Sequence, residues 1–168
     1  MAALELNVFT GTVEFRTVPF DHPDAVKLID AVQQEYVTRY GDPDITPVDP
    51  VEFAPPGGIF LVGYAEGTPA VCGGWRAHDD PEPPLAPGDA EMKRLYVVPA
   101  MRGRGFARRM LAELERSARE AGRTRMVLET GEKQPEAIAL YRSSGYETMP
   151  KFGVYANEPL SLCLAKTL

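Results

Sequence analysis

The chain has 168 residues, 44% hydrophobic and 25% charged, a composition that suits a single soluble domain spanning residues 1–168. Its net charge of -6 disfavours a general nucleic-acid binder, which needs a basic surface, and no apolar run approaches the ~18 residues of a membrane span. The two distant cysteines, Cys72 and Cys163, form neither a zinc pattern nor a disulfide framework and read as small buried hydrophobes in strands.

At the start, MAALELNVFTG lacks the basic head and long apolar core of a signal peptide, so the expected location is cytoplasmic. TVEFRTVPF alternates as a first strand around Val13 to Val18. DHPDAVKLIDAVQQEYVTRYG then carries helix-start chemistry, with Asp21 or His22 as cap, Pro23 in the first turn and Asp24 at the positive dipole end. Val26, Ile29, Val32, Tyr36 and Tyr40 fall at helical spacing, and Gly41 stops the helix. A proline-rich loop follows, with a short helical turn expected from Asp49 through Phe53. Ile59 to Ala65 and Ala70 to Ala77 read as a hairpin turning at Glu66-Gly67.

DDPEPPLAPGD is a loop, and AEMKRLYVV is the next strand. Gly105 to Ala121 reads as a helix with Phe106, Met110, Leu111, Leu114 and Ala118 on one face, ended by Gly122. TRMVLETG is a strand and QPEAIALYRSSG a short helix between Pro135 and Gly145. Two more strands are expected near Tyr146 to Met149 and Leu160 to Ala165. The unit from Met92 to Leu128 implies a parallel pair joined by a right-handed crossover, within a mixed sheet covered by helices. Arginine outnumbers lysine thirteen to five, which points to a GC-rich bacterial genome.

The joint between strand and helix, RLYVVPAMRGRGFARRML, concentrates two glycines and several arginines. The free N–H groups of a helix's first turn converge on one point, with the positive dipole end behind them. Gly103 and Gly105 let backbone approach a ligand closely, and Arg102 and Arg104 add charge suited to phosphate oxygens. A pyrophosphate is the natural guest. The pattern G-x-x-x-x-G-K-[ST] is absent, and Arg108 stands where G-x-G-x-x-G needs its third glycine.

Arg102-Gly103-Arg104-Gly105-Phe106-Ala107 resembles the [QR]-x-x-G-x-[GA] signature of the GNAT superfamily of acetyl-CoA-dependent N-acetyltransferases. EMKRLYVVPAMRGRGFARRML resembles that family's core strand, turn, cradle and helix over its whole length. MVLETGEKQPEAIALYRSSGYE resembles the following strand and helix, with an alanine and a tyrosine four residues apart. The resemblance implies the GNAT fold: an α/β, α+β-like domain with a mostly antiparallel twisted sheet of about six or seven strands, a splayed parallel pair and about four helices.

It also implies acetyl transfer from acetyl-CoA to a primary amine of a small molecule or a lysine-like acceptor, with no metal. By resemblance the backbone of Gly103 to Ala107 holds the pyrophosphate, beside Arg102. Leu95, Tyr96 and Val97 run along the pantetheine arm, with a strand N–H near Tyr96 as oxyanion donor. Ala137 and Tyr141 share a helix face, where the alanine leaves room for cofactor and the phenol serves as general acid. The alternative for Tyr141 is a core tyrosine packed on the sheet.

Glu91 is the candidate base, on one face with Lys93, Leu95 and Val97 if no bulge intervenes. Its alternative is a strand-end carboxylate in solvent or paired with Lys93 or Arg94. His22 and His78 read as exposed loop residues. Tyr36, Tyr40, Phe53, Trp75, Phe152 and Tyr155 are the nominated acceptor-site aromatics, Tyr36 also fitting a core role. The acidic cluster Asp42, Asp44, Asp49 and Glu52 either faces the acceptor mouth or is a solvated loop. A non-catalytic acyl-CoA sensor of the same fold is the competing function. An edge strand after Leu160 would allow sheet extension, leaving homodimer and monomer both open.

Overall fold

The computed structural model describes residues 12–168, so MAALELNVFTG lies outside them. Seven strands form one sheet: β1 Val13–Thr17, β2 Gly58–Ala65, β3 Thr68–His78, β4 Asp89–Val97, β5 Arg125–Gly131, β6 Glu147–Met149 and β7 Ser161–Thr167. Their spatial order is β1-β2-β3-β4-β5-β7-β6. Among the described strands only β4 and β5 run parallel. The helices are α1 Pro23–Tyr40, α2 Phe106–Glu120 and α3 Pro135–Ser143, with 3-10 turns at Pro50–Phe53 and Pro99–Met101.

Local chemistry sets these boundaries. His22 caps α1 through its ring, whose Nδ1 accepts from the Asp24 N–H at 3.1 Å, so it is not a bystander of the loop. Gly41 ends the helix at φ 90°. Asp49 and Glu52 close a capping box on the 3-10 turn that follows Asp49. No helix among the described residues is long and apolar enough to cross a membrane.

Two cores lie on opposite sheet faces. On one, Leu28 and Val32 of α1 pack with Phe53, Phe60, Val62 and Tyr96. On the other, Met110, Leu111 and Leu114 of α2 pack with Leu61, Trp75, Met92 and Leu128. The α2 face matches the expected spacing residue for residue. The α1 face does not. Ala25, Leu28 and Val32 are buried, whereas Val26 is 40% exposed and Ile29 and Tyr36 only flank the core. A shift of one residue turns a helix face by about 100°, enough to carry Val26 into solvent.

The sheet edges also differ from expectation. The strand after Leu160 is β7, which pairs with β5 on one side and β6 on the other. On that outer side β6 covers only Cys163 to Ala165, so β7 is an inner strand at its centre and unpaired on that side at its ends among the described residues. Among the described residues the edge strands are β1 and the three-residue β6.

Candidate active site

The cleft begins where a strand pair stops. β4 and β5 are in register from Asp89–Arg125 to Met92–Leu128, and the pairing goes no further. At that point β4 is bulged. Gly74 pairs with Lys93 and Cys72 with Tyr96, so Arg94 and Leu95 together face Gly73. Arg94 takes φ 62°, an unusual left-handed conformation for a non-glycine residue. Beyond the bulge a cleft of about 370 Å³ opens between β4, β5, α1 and α3.

The bulge breaks the alternation expected along β4. Leu95 and Val97 turn with Met92 onto the α2 face, while Tyr96 packs on the α1 face. Glu91 and Lys93 therefore do not share a face with Leu95 and Val97. The charges in the strand mark the place: Lys93 and Arg94 are consecutive cations within an apolar run, and both are buried.

The glycine-rich joint lies at the head of α2. Gly103 and Gly105 both have φ 79°, and a Cβ built on either meets no atom within 4 Å. Their backbone is thus left-handed and open on the side where a side chain would stand, at the positive end of the α2 dipole. Arg102 donates from Nε to the Val97 carbonyl at 3.0 Å and from Nη2 to Glu35 at 2.7 Å. It also stacks 5.5 Å from the Tyr96 ring centroid. Of the three strand residues nominated for the cofactor arm, Leu95 lines the cleft.

Ala137 and Tyr141 line the cleft from α3, the phenol ring making an edge contact with Tyr146 at 5.7 Å. Burial raises the Tyr141 phenol well above its ordinary range, so it is protonated at neutral pH.

Glu91 lies outside the cleft lining. Its Oε1 accepts from Arg76 Nε at 3.0 Å and sits 2.9 Å from His78 Nε2, while Lys93 Nζ is 3.9 Å from Oε2. Burial alone would raise its pKa. The His78 hydrogen bond and the charges of Lys93 and Arg76 outweigh that and lower it. His78 is accordingly a half-buried partner at the end of β3, not an exposed loop residue.

Four carboxylates line the cleft, Asp42, Asp44, Glu129 and Glu158, and of these Glu129, which the sequence reading passed over, stands on β5 itself. Burial lifts its pKa to about 7, against the attraction of Lys93 and with help from the charges of Asp44 and Glu91. Its Oε2 is buried, lies beside Gly153 and has no hydrogen-bond partner among the described residues. The available signal was a lone carboxylate in the apolar run MVLETG.

The nominated aromatics divide. Tyr36, Tyr40 and Tyr155 line the cleft. Tyr155 accepts from the Ile45 N–H at 2.8 Å, tying its loop to the segment after α1. The Tyr40 hydroxyl reaches so close to β5 that a Cβ at Gly131 would lie 2.0 Å from it. Phe53, Trp75 and Phe152, expected at the acceptor site, do not line the cleft. Phe53 stacks on Phe20 in the α1 core, Trp75 donates to Ser117 beneath α2, and Phe152 packs with Val127 and Met149. Their size and apolarity serve burial instead.

The acidic cluster is likewise largely spoken for. Asp44 pairs with Lys93 at 3.1 Å and with Arg94 at 2.5 Å. Asp49 caps its 3-10 turn, and Glu52 pairs with Arg76. Asp42 and Asp44 reach the cleft lining.

Residues 26–146 match the model of the acetyltransferase (GNAT) family. An IAA acetyltransferase of Azospirillum brasilense is 39% identical over 109 residues, 65% of this chain and 67% of that protein. A Klebsiella pneumoniae structure assigned as an acyl-CoA N-acyltransferase superposes with TM-score 0.74 at 29% identity, covering 94% of this chain and 98% of its own. YncA of Salmonella typhimurium, solved with acetyl-CoA, superposes with TM-score 0.68 over 94% of this chain and 95% of its own. At 21% identity that last likeness is one of fold.

Proposed function

The chain belongs to the acetyltransferase (GNAT) family, and on that footing we propose that it moves an acetyl group from acetyl-CoA directly to a primary amine of a small molecule or lysine-like acceptor. The observation that carries the reading is that Glu129, whose buried Oε2 has no hydrogen-bond partner among the described residues and whose pKa burial raises to about 7, lines the same cleft as Tyr141. A proton acceptor and a proton donor in one cleft are what amine acylation requires.

The residues present fit the donor. The open, left-handed backbone at Gly103 and Gly105 sits at the N-terminus of a fifteen-residue helix, a cradle for pyrophosphate oxygens. Ala137 keeps the α3 wall small where the arm of the donor would pass. Acetyl-CoA supplies an acetyl group already activated as a thioester.

Glu129 takes a proton from the acceptor's ammonium group, freeing the nitrogen lone pair. As the C–N bond forms and the C–S bond breaks, a strand N–H near Tyr96 steadies the carbonyl oxygen. Tyr141 gives its proton to the departing sulfur, and the remaining surplus proton of the nitrogen replaces it. Glu129 then returns its proton to solvent. Glu91 acts from behind, holding Lys93 between itself and Asp44.

The test is turnover of acetyl-CoA with a panel of amines, read as free thiol. Amine-dependent thiol release with an N-acetylated product is the expected result. Tight CoA binding without release by any amine would instead support an acyl-CoA sensor.

A further inference from the structure

Three buried polar atoms around the same cleft have no hydrogen-bond partner among the described residues: Nε of Arg94, Oε2 of Glu129 and Oγ of Ser161. Arg94 is 6% and Ser161 8% exposed. Leaving a buried donor or acceptor unpaired costs about 1–3 kcal/mol, more when the group is charged. Such groups in a native fold call for an explanation, and three on one cleft point to a ligand that completes them.

The charges around the cleft are arranged in two zones. On the β4 side, Lys93 and Arg94 share one cleft carboxylate, Asp44, while Glu91 behind Lys93 is held by Arg76 and His78. That leaves one guanidinium N–H of Arg94 unmet; the other lining carboxylates, Asp42 and Glu158, make no ion pair with Arg94 or Lys93 among the described residues. On β5 stands Glu129, a carboxylate with an unmet oxygen. A simple amine would satisfy only Glu129. A lysine side chain on a protein would do the same and leave Arg94 Nε buried and bare.

We propose that the acceptor is a small zwitterion of the amino acid class, whose carboxylate is bound by Arg94 while its amine is presented to Glu129. Arginine suits this role because its planar fork matches a carboxylate. The Arg94 backbone conformation supports the assignment, since the bulge places the side chain at the one point where β4 leaves β5. Tyr36, Tyr40 and Tyr155 provide an aromatic lining for an apolar or aromatic side chain of the acceptor. The proposal rests on the acetyl-transfer reading and narrows its acceptor.

The experiment compares three acceptors of one shape with the wild-type protein and acetyl-CoA: phenylalanine, phenylalaninamide and phenethylamine, with leucine, leucinamide and isoamylamine as a second set. The free amino acids should exceed both counterparts that lack the carboxylate in kcat/KM by roughly 10- to 100-fold, the scale of leaving a buried donor unpaired. In Arg94→Gln the ratio of acid to amine should fall toward one, and Arg94→Lys should recover part of it. The wild-type comparison decides the matter even if neither variant folds. Amines or amides turned over as well as the acids would overturn the zwitterion while leaving N-acetyl transfer standing. Thiol release with none of the six but with other amines would likewise overturn the zwitterion, and the absence of release with any amine at all would overturn both.

Discussion

Lys93 Nζ lies 3.1 Å from Asp44 Oδ2, joining the bulged centre of β4 to the segment that leaves α1. Arg94 holds the same carboxylate oxygen. Burial alone would raise the Asp44 pKa, but the two cations outweigh it and hold the carboxyl far below its ordinary range.

Removing that carboxylate should therefore be costly. Asp44→Ala leaves two buried cations without their shared partner and should destabilise the protein by about 3–5 kcal/mol. A depressed carboxyl pKa stabilises the fold above the unfolded value near ~4 and loses that contribution as pH falls below it. Chemical denaturation from pH 7 to pH 3 should show wild type losing stability at the acid end. Asp44→Ala should start lower and lose less. Equal slopes for the two proteins would mean that the pair is not what the acid end titrates.

The cradle makes a separate prediction. Gly105 has φ 79° and open space where a Cβ would point. Gly105→Glu puts bulk and negative charge where an anion should sit, at a backbone cost of about 1–2 kcal/mol. Calorimetry should find a folded protein that no longer binds CoA measurably. Wild-type affinity in that variant would remove the anion from this joint.

Tyr141→Phe deletes only the phenol oxygen. It should lower kcat by roughly 10²- to 10⁴-fold, the scale of losing a positioned acid, with CoA affinity little changed. Thiol release at the wild-type rate would show that solvent protonates the sulfur and that Tyr141 only packs on Tyr146.

Much of this architecture is legible in the sequence, because its signals are local. Pro23, Gly41, Pro50 and Gly122 punctuate helices through their own backbone preferences, and Glu66-Gly67 turns the hairpin with φ 51° and 78°. The α2 face reads directly from its spacing because one stripe of it alone is apolar. The α1 face does not, since Val26 and Ala25 are both apolar and only tertiary packing chooses between them. The bulge at Arg94 is a matter of pairing with β3, which no local pattern encodes, and it reassigns every side chain after Lys93. Glu91 and Glu129 look alike in sequence. What separates them is the company each keeps: Arg76 and His78 for the first, the cleft between β4 and β5 for the second.

The most direct measurement is the pH dependence of kcat/KM for wild type, Glu129→Gln and Glu91→Gln, with acetyl-CoA and one amine acceptor. A base works only when deprotonated, so the wild-type rate should rise through an ionisation near about 7, where burial has placed Glu129. Glu129→Gln should lose that ionisation and fall by roughly 10²- to 10⁴-fold. Glu91→Gln should keep an ionisation, moved by the changed field at Lys93. A Glu129→Gln protein that retained both the profile and the rate would contradict Glu129 as the proton acceptor.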